Sequence, residues 1–545
     1  MNKAITIHSS DNLVVALVDL KAGEQIVIGK AEITLKENIK AKHKFALKNF
    51  DPGDDMFMYG LVIGIANELI KKGQAITVKN TAHKSTEFTT KSEKKIKWTA
   101  PDISRFKNRT FNGYPRKDGQ VGTANYWLVF PLVFCENRNI LTIKSAFNKA
   151  LGYEKSNPYD QLALDLVDKY KNGNSLDEVS LHKKENKEQK HLFNNVKIKF
   201  ITHQGGCGGT REDSDTLCRL LAGYLKNPNV AGATVFSLGC QNAQVDILKT
   251  AIQSVDEEFD KPLLIFDQQE TGSESTLIEQ AIKATFNGLI EANKLKRQPV
   301  PLSKLIIGLE CGGSDGFSGI SANPALGHVS DMITALGGKA ILAEFPELCG
   351  VEQELINRTT NPAYADKFIK LMRAYAKLAK DVGSGFDMNP SPGNIKDGLI
   401  TDAMKSAGAA KKGGTSPVND VLDYTEYVKK AGLSLLCTPG NDVESTTGLV
   451  GSGANVVLFT TGLGTPTGNP IAPILKVSSN STLAKKMADI IDINAGEVIE
   501  GNKTIEEMGE EMLEHIIKIA SGELQSKAEL LDQDDFIPWK RGISL

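Results

Sequence analysis

Three apolar, strand-like runs in this chain each break off into a glycine-rich loop that carries a cysteine, and helical stretches lie between them. The runs end in Thr202-His203-Gln204-Gly205-Gly206-Cys207-Gly208-Gly209-Thr210, in Ser237-Leu238-Gly239-Cys240-Gln241-Asn242, and in Leu309-Glu310-Cys311-Gly312-Gly313-Ser314-Asp315-Gly316. Strands alternating with helices predict parallel sheets covered by helices, and such sheets take ligands in the crevice beyond the carboxyl ends of their strands. Further apolar runs at 126–133, 263–266, 339–343, 433–436 and 456–460 extend the pattern from residue 112 to the carboxyl terminus.

The first part of the chain reads differently. Short strands at 4–7, 13–16, 25–28, 31–35 and 75–78, punctuated by Lys21-Ala22-Gly23, Pro52-Gly53 and Lys72-Gly73, predict a small β-rich domain over residues 1–87. The polar, basic stretch 88–111 reads as a linker, and the rest divides into α/β domains at 112–300 and 301–545. The expected fold class is therefore α/β, with a small β-rich amino-terminal domain and two α/β domains built mainly on parallel sheets. The lysine-rich run 182–190 is expected to be a solvated surface segment.

Charge and composition exclude several classes. Sixty-four Lys and Arg against 66 Asp and Glu leave a net charge of -2, so no overall field gathers nucleic acid or an anionic membrane. No run of about 18 apolar residues is present, so no membrane-spanning helix is expected. Seven widely spaced cysteines, an odd number, argue against a disulfide framework and point to a reducing cytoplasm. No Walker sequence occurs, and Pro466, Pro470 and Pro473 prevent a helix from opening after the loop at 460–469 as a dinucleotide site requires. That loop reads instead as a cradle for a carboxylate or hydroxyl, as does Ser391-Pro392-Gly393-Asn394.

The chemistry-bearing side chains cluster at the same places. Thiolates are soft ligands, so Cys207, Cys240 and Cys311 form a candidate metal or cluster site, against the ordinary alternative that each simply packs. His203 is a candidate base, because core packing does not ask for a histidine inside a glycine-rich loop. In Ala41-Lys42-His43-Lys44-Phe45, His43 and Lys44 read either as an exposed basic strand or as carboxylate-binding and proton-transfer groups.

Several motifs in one order then give the chain a resemblance. Gly308-Leu309-Glu310-Cys311-Gly312-Gly313-Ser314-Asp315-Gly316-Phe317-Ser318-Gly319-Ile320 with Ala322-Asn323-Pro324, Glu344-Phe345-Pro346-Glu347, Asn389-Pro390-Ser391-Pro392-Gly393-Asn394, Pro439-Gly440-Asn441-Asp442 and Thr461-Gly462-Leu463-Gly464-Thr465-Pro466 resemble the altronate/galactarate dehydratase family over nearly the whole chain. Asp11-Asn12, His43-Lys44-Phe45-Ala46-Leu47 and Tyr59-Gly60 are similar to that family's SAF domain. The resemblance implies an iron(II)-dependent lyase that dehydrates D-altronate to 2-dehydro-3-deoxy-D-gluconate, with manganese(II) or an iron–sulfur cluster as alternatives to mononuclear iron. It further implies a small sugar acid as the partner, with a homo-oligomer left open and no nucleic acid or membrane. Galactarate dehydration, sulfolactate cleavage and non-catalytic sugar-acid binding are the competing functions. Such a reaction needs a base for the C2 proton, with His43, Lys44 and His203 as candidates, and a cradle for substrate. Gly312, Gly313, Ser314, Asp315, Asn394, Asn441, Asp442, Gly464 and Thr465 are the expected cradle residues, and Cys207, Cys240 and Cys311 the expected metal ligands.

Overall fold

The computed structural model describes residues 2–92, 97–153, 157–181 and 191–542, so the lysine-rich run 182–190 lies outside the described residues. The amino-terminal domain is a set of small antiparallel sheets. Ala4–Ile5, Leu13–Ala16, Lys44–Ala46 and Ala75–Ile76 line up in one, and Asp55–Met58, Leu61–Ala66 and Thr81–Ala82 in another. Successive side chains of a strand point to opposite faces. Val14, Ala16 and Phe45 accordingly pack inward on Ile26 and Ile33, while Leu13, Val15 and Ala46 face the other way and join the core of the carboxyl-terminal domain. This domain is thus seated on its neighbour through an apolar face.

Beyond the connecting segment, Thr110–Pro115 pairs antiparallel with Gln298–Pro301, which brings the entry and exit of the second domain side by side. Inside it, strands β1 (Tyr126–Pro131), β2 (Lys197–Phe200), β3 (Val230–Ser237) and β4 (Leu263–Asp267) form a parallel sheet in the order β2-β1-β3-β4. The interior strand β1, Tyr-Trp-Leu-Val-Phe-Pro, is buried along its whole length, as a doubly covered parallel strand must be.

The carboxyl-terminal domain carries seven parallel strands: β5 (Ile306–Cys311), β6 (Lys339–Leu342), β7 (Val418–Leu422), β8 (Gly432–Leu436), β9 (Val456–Thr461), β10 (Ile474–Ser478) and β11 (Ile493–Asn494). Their order is β7-β8-β6-β5-β9-β10-β11. The chain builds outward from β5 to one side and then returns to lay β9 against its other edge. The switch point between β5 and β9 is where such a sheet opens a ligand crevice. The expected α/β class, with its β-rich start, is borne out. Among the strands of this sheet that gave no sequence signal, β7 carries Asn419-Asp420, β10 is interrupted by Lys476, which lies buried with its amine on Gln533, and β11 is only two residues long. None of the described helices is long and apolar enough to cross a membrane.

The second and third domains are pinned together. Asn227 and Asn229 donate to the backbone carbonyls of Val450, Ala454, Asn455 and Ile471. At the crossing of helices Arg211–Lys226 and Asp442–Gly451, a Cβ on Gly223 would stand 2.0 Å from the Gly451 carbonyl oxygen, so only glycine fits.

His203 is not free to act as a base. Its Nε2 lies 2.8 Å from the Pro131 carbonyl oxygen, its Nδ1 accepts from Gly205 N–H at 3.1 Å, and the ring is 3% exposed beside Phe536. Both nitrogens therefore hold the loop onto the end of β1. Burial, opposed by the Pro131 carbonyl, lowers its pKa to about 4. Between pH 6.5 and about 4 the unfolded chain binds a proton that the folded histidine refuses, so stability falls as pH drops through that window. The loss attributable to this residue is expected to reach roughly 3 kcal/mol at most. Denaturant titrations at pH 7 and pH 4.5 should show a smaller difference for His203→Gln than for the parent chain.

Candidate active site

At the carboxyl end of β5, Glu310 and Cys311 meet two acids from the turn after β6. Cys311 Sγ and the carboxylates of Glu344 and Glu347 offer ligand atoms within 4.8 Å of one another, all buried, and the thiol donates to Glu347 Oε2 at 3.1 Å. Glu344 occupies the left-handed region at φ 66°, a conformation costing a non-glycine residue about 1 kcal/mol or more and held here by its surroundings. Its N–H donates to Thr438 Oγ1, and its Oε2 accepts from Cys311 N–H. The strained turn aims the carboxylate back at the strand end.

Two lysines balance this floor. Lys412 donates to Cys311 Sγ at 2.7 Å and to Glu344, and Lys405 donates to Glu347 Oε1 at 2.6 Å and to Asn389 Oδ1 at 2.7 Å. Burial would lower both amines, yet the thiol and carboxylates around them raise both above the usual lysine range. Burial would likewise raise the Glu347 carboxyl, but Lys405 and Lys412 hold it below the usual range. Glu310 goes the other way: burial, then the charge on Glu344, push it far up, so it keeps its proton. Glu310 Oε1 and Glu344 Oε1 otherwise have no hydrogen-bond partner, and a proton shared between them satisfies both.

Above this buried floor is a partly exposed rim of Asn389, Gly440, Asp442, Leu463 and Thr465. Asp442 opens the helix after β8; burial, then Glu344 and Glu347, raise its carboxyl to about 7. A Cβ on Gly312 would lie 2.1 Å from Asp442 Oδ2, so the glycine lets this carboxylate close over the end of β5. Asn441 caps the same helix, accepting from Val443 and Glu444 N–H.

The next loop residues face the amino-terminal domain. Asp315, fully buried, accepts from Phe317 N–H, Ser318 N–H, Ser318 Oγ, Ser479 Oγ and Asn480 Nδ2, and Lys42 meets its Oδ2 at 2.9 Å. Lys42 also pairs with Asp397 at 2.9 Å, and the buried Lys44 donates to the Gly398 carbonyl at 2.6 Å. Burial, opposed by Asp315, lowers the Lys44 amine to about 7. His43 is half-buried, its Nε2 3.1 Å from the Lys396 carbonyl oxygen. The basic strand is therefore docked on the glycine-rich loop.

The structure corrects the three-cysteine site. Cys207 and Cys240 are exposed on the second domain, where Asn242 and Ala243 N–H donate to Gly206 O and join their loops; Cys311 is buried in another sheet. Among the described residues, neither exposed cysteine belongs to a group of three close metal-ligating side chains. Parallel strands deliver their ends to one edge only within a sheet, and the strands before these cysteines lie in two different sheets.

The expected cradle divides. Asp442 and Thr465 stand at the rim, with Asn441 at its edge and Gly312 buried against Asp442, while Asp315, Ser314 and Asn394 are buried structural anchors, Asn394 donating to the Ser314 carbonyl. Gly313 O accepts from Gly462 and Leu463 N–H and so joins the two loops, whereas Gly464 N–H donates to Thr461 Oγ1 within its own loop. The floor adds Glu310, Glu344, Glu347, Lys405 and Lys412. Glu344 and Glu347 stand in a recognisable motif; Lys405 and Lys412, in a region of ordinary polar helix, gave no signal.

Three family models match the chain: the altronate/galactarate dehydratase SAF domain at residues 2–84, the D-galactarate dehydratase/altronate hydrolase second domain at 113–293, and the D-galactarate/altronate dehydratase C-terminal domain at 302–544. Altronate dehydratase of Bacillus subtilis (strain 168) is 33% identical over 100% of both chains, and that of Escherichia coli (strain K12) 32% over 99% of each. Galactarate dehydratase (L-threo-forming) of Escherichia coli (strain K12) is 30% identical over 95% of this chain and 92% of its own. With its SAF domain seated on a parallel sheet whose strand ends gather acids and lysines, the chain belongs to the altronate/galactarate dehydratase family and is a carbon–oxygen lyase of that family.

Proposed function

We propose that the chain dehydrates D-altronate to 2-dehydro-3-deoxy-D-gluconate. The observation that carries the reading is the charged floor of Cys311, Glu344, Glu347, Lys405 and Lys412 under a polar rim at the switch point of the sheet. Asn389, Asp442 and Thr465 suit a row of hydroxyls. Asp442, the carboxylate at the rim, takes the C2 proton, and Lys405 holds the charge that develops on the substrate carboxylate as the enediolate forms. The proton then passes from Asp442 to the departing C3 hydroxyl, so water leaves and the enol relaxes to the 2-keto acid.

The donor set also fits a divalent metal, since a thiol and two carboxylates, all buried, offer ligand atoms within 4.8 Å of one another. Cys311, Glu344 and Glu347 would hold iron(II), with manganese(II) as the alternative, and the ion would supply further stabilisation of the enediolate charge. One cysteine among carboxylates supports a mononuclear ion over an iron–sulfur cluster. The absence of an arginine among the rim residues and the end-to-end likeness to two altronate dehydratases support a monocarboxylate over galactarate.

The deciding experiment measures 2-keto acid formation from altronate and galactarate by protein stripped with a chelator and then resupplied with iron(II). Turnover of altronate with the higher kcat/KM, restored by iron, is expected. Preference for galactarate would overturn the substrate assignment, and full activity of metal-free protein the metal. Asp442→Asn is expected to lower kcat by roughly 10²–10⁴-fold, the usual worth of a positioned acid–base group.

Docking of the basic strand gives a further expectation. Lys42→Met leaves Asp315 buried without its cation, a change that costs about 3–5 kcal/mol in comparable pairs. Thermal unfolding and kcat/KM should both fall for this variant, and an unchanged kcat/KM would separate the docking from catalysis.

A further inference from the structure

A second group of metal-ligating side chains meets where the amino-terminal domain rests on the carboxyl-terminal one. His83 follows the strand Thr81–Ala82, Cys349 lies just after the turn Phe345–Leu348, and Asp402 is the first residue of the helix Asp402–Ala409. They present one nitrogen, one sulfur and one oxygen within 4.8 Å of one another. A carboxylate in the first turn of a helix is stabilised by the helix dipole, which explains an aspartate at this position. It does not explain why a thiol and an imidazole from two other segments converge on it.

Two further observations point to a ligand. Asp402 is 1% exposed, the Cys349 thiol faces its carboxyl, its Oδ1 accepts a long bond from Ser406 at 3.3 Å, and its Oδ2 lies buried without a partner at hydrogen-bonding geometry. Buried carboxylate oxygens are seldom left so. The group also borders a cleft of about 490 Å³ lined by Ser85, Phe88, Cys349, Glu352, Arg373 and Phe386, and His83 and Cys349 are only half-buried, so an ion has a way in. An imidazole, a thiolate and a carboxylate make a three-ligand set for a tetrahedral borderline metal, with the fourth position left for water. Hard ions such as magnesium and calcium prefer all-oxygen ligands.

We propose that His83, Cys349 and Asp402 bind a zinc(II)-class ion that clasps the amino-terminal domain to the carboxyl-terminal domain, at a site sharing no ligand with the Cys311 cluster. Binding expels the thiol proton as the sulfur becomes a thiolate ligand. Because the ligands come from both domains, the ion binds the docked arrangement and not the unfolded chain, and so stabilises it by mass action.

The test uses the full chain, stripped of metal and titrated with cobalt(II), whose sulfur-to-metal charge-transfer absorption reports a cysteine ligand. Since Cys311 can give the same signal, the titration is run on Cys311→Ser. One equivalent of cobalt with that absorption is expected, lost on adding Cys349→Ser and weakened at least tenfold in affinity by His83→Ala. Absence of the absorption in Cys311→Ser, or its survival after Cys349→Ser, would overturn the proposal. A second readout keeps Cys311 intact: zinc should raise the Tm of the parent chain, and His83→Ala, at a half-exposed position, should remove at least part of that rise. An equal rise in both proteins would also overturn it.

Discussion

The Asp315 carboxylate is the constraint on which the arrangement of the site depends. Its oxygens accept from the loop that carries it, from Ser479 and Asn480 at the end of β10, and from Lys42 of the amino-terminal domain. One buried charge therefore fixes the path of the chain after β5, ties it to a strand two places away, and gives the amino-terminal domain an electrostatic address. A buried carboxylate left without these donors would carry a desolvation penalty of several kcal/mol. The small domain's apolar face, with Leu13, Val15 and Met58 in the shared core, supplies affinity, and Lys42 on Asp315 supplies register.

The floor beside it follows a different logic. Glu310, Cys311, Glu344 and Glu347 would not coexist ionised at buried positions, and the structure resolves the conflict in two ways. Lys405 and Lys412 keep Glu347 ionised, whereas Glu310 keeps its proton and shares it toward Glu344. Groups pushed in opposite directions within one site are the usual mark of assigned acid and base roles. They are also groups for which a well-packed apolar core would be the more stable choice. The left-handed Glu344 adds backbone strain at the same point. Stability spent there is a reason to read the cluster as chemistry and not as architecture.

How much of this was legible in the sequence follows from range. The alternation of strands and helices and the β-rich start are local patterns, and they give the fold class directly. Glycine-rich loops at strand ends mark the crevice, because the fold rule connects a local motif to a place in the sheet. What could not be read was which sheet each strand joins: Cys207, Cys240 and Cys311 share a local signature but belong to two sheets. The role of His203 was hidden for a similar reason, since its Nε2 partner, Pro131, lies far back along the chain. Lys405 and Lys412 look like any solvated lysines until the fold buries them against acids from β5 and the turn after β6.

The two domains that meet at the site also explain why its parts are so widely dispersed. The carboxyl-terminal sheet alone supplies Cys311, Glu344, Glu347 and Asp442, and the amino-terminal domain contributes a strand whose side chains end on Asp315, Asp397, Lys396 and Gly398. Lys44 is buried in that contact, and undocking would return it to water and to its ordinary proton affinity. Its lowered pKa is thus a property of the docked pair and not of the small domain by itself. Seating of the domain and the electrostatics of the loop it covers are therefore linked: whatever stabilises one arrangement stabilises the other, and a substrate that binds best with the strand in place would draw the same contact closed.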